Sequence, residues 1–205
     1  MDIVCLDLEG VLIPEIWIKF AEKTGIPELR VTTREVPDYD LLMKRRLRIL
    51  ADHKLGLNEI REVVATVEPL PGAEDFMRWL RERFQVAILS DTYYEFVMPM
   101  MARLGYPLLL CHKLEVDAKG MVTNYVLRQQ DPKRQAVKAF HALKYRVLAA
   151  GDSYNDTNML AEADAGFLFH APANVIAEFP QFPAVDTYEA LQDQLLRNSS
   201  LGLRA

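Results

Sequence analysis

The sequence predicts an α/β protein: a doubly wound parallel sheet with a small helical cap inserted after its first strand. Three observations lead there. Short, wholly apolar runs at Ile3–Leu6, Val86–Leu89 and Val147–Ala150 suit strands buried on both faces. Segments of helical period lie between them, as the crossovers between parallel strands require. Each run then gives way to polar residues, and in an open parallel sheet the carboxyl ends of the strands border the binding crevice.

Taken in order, Ile3-Val4-Cys5-Leu6 reads as a strand running into a loop at Asp7, with Gly10 soon after. Residues 15–24 place Ile16, Phe20 and Ala21 on one helical face, and Gly25 is a natural stop. A strongly charged helix is predicted from Asp40 to Lys54, and a further one, N-capped by Asn58, runs towards Val67 before Pro69 and Pro71 break the chain. The stretch 14–68 has helices and no strand, so it reads as an insertion into a core made of 1–13 and 69–205. After Pro71-Gly72 the pattern is a helix (Glu74–Arg83), a strand (Val86–Leu89), a helix near Phe96–Leu104 and a strand near Leu108–Cys111. Leu114–Val116 and Val122–Val126 flank Ala118-Lys119-Gly120 as a hairpin. Pro132 opens a helix reaching about Leu143. The strand Val147–Ala150 ends in Gly151-Asp152, a helix starts near Asn155, and Gly166–Phe169 is one more strand. The tail beyond Leu196 is expected to fray.

Composition narrows the partners. With 205 residues, half of them hydrophobic, the chain is an ordinary globular one with ample core. Its 24 basic against 29 acidic side chains give a net charge of −5, which lacks the positive field of a nucleic-acid binder. Neither a membrane-spanning run nor a signal peptide is visible. The two cysteines, Cys5 and Cys111, sit in apolar runs and read as buried thiols of a reducing compartment. A cytoplasmic protein without nucleic-acid or membrane partners is the expectation.

The chemistry-bearing residues collect at the strand ends: Asp7-Leu8-Glu9, Ser90-Asp91-Thr92 and Gly151-Asp152-Ser153-Tyr154-Asn155-Asp156, with Lys133 opening the preceding helix. Each has an ordinary structural reading on its own, as a helix cap, a polar turn or a solvated lysine. Their joint order is far more specific. It resembles the haloacid dehalogenase superfamily of phosphotransferases, whose pattern is Asp-x-Asp, then Ser or Thr, then Lys, then Gly-Asp-x-x-x-Asp. The match runs nearly end to end, and the inserted helices occupy the family's cap position.

The resemblance implies a mechanism. Asp7 attacks phosphorus to form an aspartyl-phosphate. Glu9 protonates the leaving oxygen and later serves as base towards water. Mg²⁺ is held by the Asp7 carboxylate, the Glu9 main-chain carbonyl and the Asp152 carboxylate, with Asp156 supporting from nearby. Ser90, the backbone after it and Lys133 hold the phosphoryl oxygens.

Within the superfamily the chain is most similar to phosphoserine phosphatases. Glu15 and Arg46 match residues that would hold the ammonium and carboxylate groups of an amino acid. Asn155 matches a substrate-binding asparagine, and Tyr39 an aromatic cap residue. Two departures fall where water or an alcohol would approach: Glu9 replaces the usual acid/base aspartate, and Ser90-Asp91-Thr92 replaces Ser-Gly-Gly. The look is similar to a bacterial bifunctional variant that also transfers the phosphoryl group from phosphoserine to homoserine, linking serine and threonine biosynthesis. Two other readings compete: a phosphatase for another small phosphomonoester, which would not need Arg46 and Glu15, and a receiver-type phospho-acceptor domain.

Overall fold

The computed structural model describes residues 1–33, 35, 36 and 38–202. Strands β1 (Asp2–Leu6), β2 (Gln85–Tyr93), β3 (Leu108–Val116), β4 (Val122–Val126), β5 (Arg146–Gly151), β6 (Ala165–Phe169) and β7 (Ala184–Val185) make one sheet in the order β4-β3-β2-β1-β5-β6-β7. Every pairing is parallel except that of β3 with β4, which closes the hairpin expected at Lys119-Gly120. The strand order steps outward from β1 in both directions, which is the doubly wound arrangement.

Alternation along β1 divides the hydrophobic core in two. Val4 and Leu6 join the larger apolar cluster on one face of the sheet, while Ile3 and Cys5 join the smaller one on the other. Cys5 and Cys111 are both buried free thiols. The larger cluster takes in the helices between β1 and β2: α1 (Ile16–Thr24), α2 (Tyr39–Asp52), α3 (Leu57–Val64) and α4 (Ala73–Arg81). Helix α1 buries Ile16, Trp17, Phe20 and Ala21 and ends at Gly25. Helix α2 is capped by Asp38, whose side chain accepts the Leu41 N–H at 3.0 Å. The remaining helices are α5 (Tyr94–Arg103), α6 (Pro132–Ala142), α7 (Thr157–Glu162), α8 (Ala173–Glu178) and α9 (Tyr188–Asn198).

Three sequence expectations are corrected. Asn58 does not cap α3; Gly56 does, and Asn58 lies inside the first turn. A close approach decides this, because the Leu57 N–H donates to the Gly120 carbonyl at 2.9 Å and a Cβ on Gly56 would stand 2.5 Å from that oxygen. The second strand does not stop before Ser90 but continues to Tyr93, with its pairing to β3 broken between Leu89 and Tyr93. The tail is not frayed at Ser199 and Ser200. Ser199 is buried, and the Ser200 N–H and hydroxyl both donate to Asp2 Oδ2 at 2.7 Å. Among the described residues no helix is long and apolar enough to cross a membrane.

Asp2 itself is buried, so a chain ending at Asn198 leaves its carboxylate without those two donors. Such a truncation should lower the free energy of unfolding by about 1–3 kcal/mol in a urea titration, with an unchanged slope.

Candidate active site

The register of the central strands builds the floor of the site. β1 lies directly beside β5, Leu6 opposite Ala150, and the Asp7 N–H donates to the Ala150 carbonyl at 3.0 Å. Asp7 and Asp152 therefore leave the sheet side by side. With Asp156, they place carboxylate oxygens within 4.8 Å of one another, all three residues buried. Gly10 makes room for this: a Cβ there would meet Asp152 Oδ2 at 2.4 Å, and its φ of +80° favours glycine.

Lys133 is the cation set among these anions. Lys133 sits in the first turn of α6, where a positive charge is disfavoured by the helix dipole. It is nonetheless only 3% exposed, because its Nζ lies 2.6 Å from Asp156 Oδ1, 2.9 Å from Asp7 Oδ1 and 3.8 Å from Asp91 Oδ2. Burial works against its charge, but the surrounding carboxylates outweigh it and hold Lys133 well above the usual lysine range. The second oxygen of Asp156 accepts the Asp152 and Ser153 N–H groups at 3.0 and 3.2 Å, so both its oxygens are occupied. Asp7 is driven well above the usual carboxylate range, by burial first and then by the Asp156 charge, against the pull of Lys133. One ammonium does not neutralise three buried carboxylates, and the all-oxygen donor set fits a hard divalent cation such as Mg²⁺.

Ser90 and Asp91 occupy the irregular part of β2, where the regular ladder to β3 is interrupted. Ser90 is 3% exposed, and its Oγ accepts the Thr92 N–H at 3.2 Å. Asp91 Oδ1 lies 3.2 Å from His112 Nε2, and Oδ2 accepts from Asn155 Nδ2 at 2.8 Å. Burial alone would raise Asp91; Lys133, His112 and Asn155 outweigh it and hold the carboxyl far below its ordinary value. The other half of the Asn155 amide accepts the Ser153 hydroxyl at 2.5 Å.

Above this floor, one cavity joins Asp7, Ser90 and Asp152 to Glu9, Glu15 and Arg46. Glu9 Oε2 accepts the Ile16 N–H at 2.8 Å, the first turn of α1. Burial, then the Glu15 charge, push its carboxyl up to about 8 despite the Ile16 N–H and Arg46. Arg46 is 6% exposed on α2. It donates to the Val31 carbonyl at 3.0 Å and stacks on the Trp17 ring at 4.4 Å, a contact worth about 0.5–2 kcal/mol. Its Nε is buried without a hydrogen-bond partner.

Tyr39 is not in that cavity. Its hydroxyl donates to the Asp91 carbonyl at 3.0 Å and meets the Tyr93 hydroxyl at 2.7 Å, and its ring faces a neighbouring cavity beyond Asp91. Lys133 and Asp156 are not among the residues lining the Arg46 cavity; Lys133 lines the neighbouring one and stands 2.9 Å from Asp7 Oδ1 at their junction. Trp17 and His112 escaped the sequence reading. The only signal for Trp17 was its place two residues after Glu15; for His112 it was a histidine interrupting an apolar strand.

Residues 1–164 match the family model of haloacid dehalogenase-like hydrolases. The chain is 67% identical over 203 residues to a protein of Pseudomonas aeruginosa named phosphoserine phosphatase ThrH, covering 99% of each. It is 64% identical to a phosphoserine phosphatase of Pseudomonas syringae pv. tomato, covering 98% of this chain and 84% of that protein. The solved apo form of a phosphoserine phosphatase superposes with a TM-score of 0.76 at 18% identity, covering 93% of this chain and 98% of that one.

The Glu9 carboxyl binds its proton more tightly folded, at about 8, than at its ordinary 4.5. Its stabilising contribution is therefore complete below about 4.5 and lost as pH rises through about 8. In chelator, the melting temperature of the protein should fall between pH 5.5 and 8.5 by more than that of Glu9→Gln. Equal falls would contradict a protonated Glu9.

Proposed function

The chain belongs to the haloacid dehalogenase-like hydrolase family, and on that premise we propose that it is a phosphoserine phosphatase working through an aspartyl-phosphate on Asp7. We propose further that the same phosphoryl-enzyme passes its group to homoserine. The names of the two Pseudomonas relatives support the substrate. The observation that carries it is Arg46: a buried guanidinium, its Nε unpartnered, in the same cavity as Asp7 and Ser90. A buried donor left without an acceptor costs about 1–3 kcal/mol, and the carboxylate of an amino-acid substrate removes that cost. Glu15, in the same cavity, offers the complementary charge for the ammonium group.

Asp7, the Glu9 main-chain carbonyl and Asp152 would hold a Mg²⁺ ion, whose charge offsets the carboxylates and the phosphate dianion. Asp156 keeps Lys133 in place from below. In the first step an Asp7 oxygen forms a bond to phosphorus as the bond to the serine oxygen breaks. Protonated Glu9 gives its proton to that departing oxygen. Lys133 and Ser90 hold the non-bridging oxygens as charge redistributes among them. In the second step Glu9, now a carboxylate, takes a proton from the attacking hydroxyl, and the Asp7 oxygen leaves as a carboxylate. The attacking hydroxyl belongs to water or to an amino-acid alcohol. By microscopic reversibility, a site that expels serine also admits an alcohol with the same ammonium and carboxylate. Homoserine, one methylene longer, retains both handles for Glu15 and Arg46.

Phosphorus NMR with Mg²⁺ and phosphoserine should show inorganic phosphate alone, and a second phosphomonoester resonance when homoserine is added. Absence of that resonance would remove the transfer reaction; absence of turnover would remove the substrate. Asp7→Asn should be inactive throughout, since an amide does not form the phosphoenzyme. Arg46→Lys keeps the charge but loses the bidentate fork, so KM for phosphoserine should rise about 10- to 100-fold. KM for p-nitrophenyl phosphate, which has no carboxylate or ammonium, should stay within about twofold.

A further inference from the structure

His112 lies outside every motif that pointed to the site, yet it holds one of the site's residues. It sits on β3, opposite Tyr93 of β2, and is 1% exposed. Its ring packs against those of Tyr39 and Tyr93, at 6.2 and 6.1 Å. Both nitrogens are engaged. The Arg128 backbone N–H donates to Nδ1 at 3.2 Å, so Nδ1 is the acceptor nitrogen and Nε2 carries the hydrogen. That Nε2–H points at Asp91 Oδ1, 3.2 Å away.

The chain of contacts continues. The other Asp91 oxygen accepts from Asn155 Nδ2, and Asn155 Oδ1 accepts from the Ser153 hydroxyl. This assigns the orientation of the Asn155 amide without ambiguity between its oxygen and nitrogen. Asp91 and Asn155 each line both the Arg46 cavity and the neighbouring one, so the bond between them is part of the wall that separates the two.

We infer that His112 is a positioning residue: its Nε2–H fixes the Asp91 carboxylate, and through it orients the Asn155 amide in the wall of the substrate cavity. The inference rests on the phosphoserine reading above and deepens it. Asp91 is thereby a fixed strut between a core histidine and an amide of the cavity wall. Without the histidine hydrogen, the Asp91 carboxylate is free to rotate about its side chain, and Asn155 loses its fixed acceptor. Lys133 stands 3.8 Å from the same Asp91 oxygen that Asn155 meets, so the strut borders the phosphoryl-holding groups as well.

The test compares two isosteres on phosphoserine. His112→Asn keeps an acceptor near Nδ1 for Arg128 but does not reach Asp91, whereas His112→Gln extends an amide donor to about the Nε2 position. A hydrogen bond to a charged group is worth about tenfold or more in an equilibrium. His112→Asn should therefore raise KM for phosphoserine about tenfold with kcat within about threefold. Wild-type turnover of p-nitrophenyl phosphate serves as the control for phosphoryl transfer, and His112→Gln should recover most of the KM loss on phosphoserine. In a double-mutant cycle, His112→Asn should add little to Asn155→Ala. An unchanged KM, or a loss that His112→Gln does not recover, would overturn the positioning role. A wild-type protein that turns over p-nitrophenyl phosphate but not phosphoserine would instead remove the substrate reading, and this inference with it.

Discussion

A single buried ammonium set among carboxylates governs the rest of the structure. Lys133 contacts Asp7 and Asp156 closely and Asp91 at longer range, in an interior where an isolated charge of either sign is prohibitively costly. The anions outnumber it, and the surplus fits a divalent cation. Much of the neighbouring backbone serves this arrangement. The Asp152 and Ser153 amides steady Asp156, and Gly10 leaves the space in which the Asp152 carboxylate stands.

Sheet order converts distant sequence positions into one locus. β1 is flanked by β2 and β5, so Asp7, Ser90 and Asp152 converge because their strands are adjacent. Lys133 reaches the same point from the helix that leads into β5. The second half of the cavity has a different origin: Glu15 and Arg46 come from the helices between β1 and β2. Groups suited to a phosphoryl dianion thus come from the sheet, and groups suited to an amino acid come from the inserted helices. The two sets meet only in the cavity.

Legibility in the sequence followed the same division. The strands buried on both faces, and the polar residues that end them, were readable because a run such as Val147–Ala150 has few alternatives to a central parallel strand. Lys133 on its own reads as a solvated lysine at a helix start; the joint order of the motifs marked it, and the tertiary convergence of carboxylates permits its burial. Other features had no local signal. Tyr39 fits an aromatic position by spacing, yet its hydroxyl is committed to the Asp91 carbonyl and to Tyr93, contacts made across about fifty residues that no local pattern encodes. Helix α8 and strand β7, of six and two residues, are too short to set a period. The docking of the tail depends on Asp2, at the opposite end of the chain.

The burial of Cys5 bears on the durability of a phosphorylated Asp7. An acyl phosphate is an electrophile, and a thiolate two residues away along the chain would be a ready competitor for it. Burial raises the Cys5 thiol far above its ordinary range, and Cys111 is likewise pushed up to about 12. Both stay as S–H groups at physiological pH and are poor nucleophiles. The strand that presents the carboxylate thus brings no rival nucleophile to it, leaving the choice of acceptor to whatever occupies the cavity. The same protonated, buried state makes both sulfurs slow to react with peroxide or alkylating reagents.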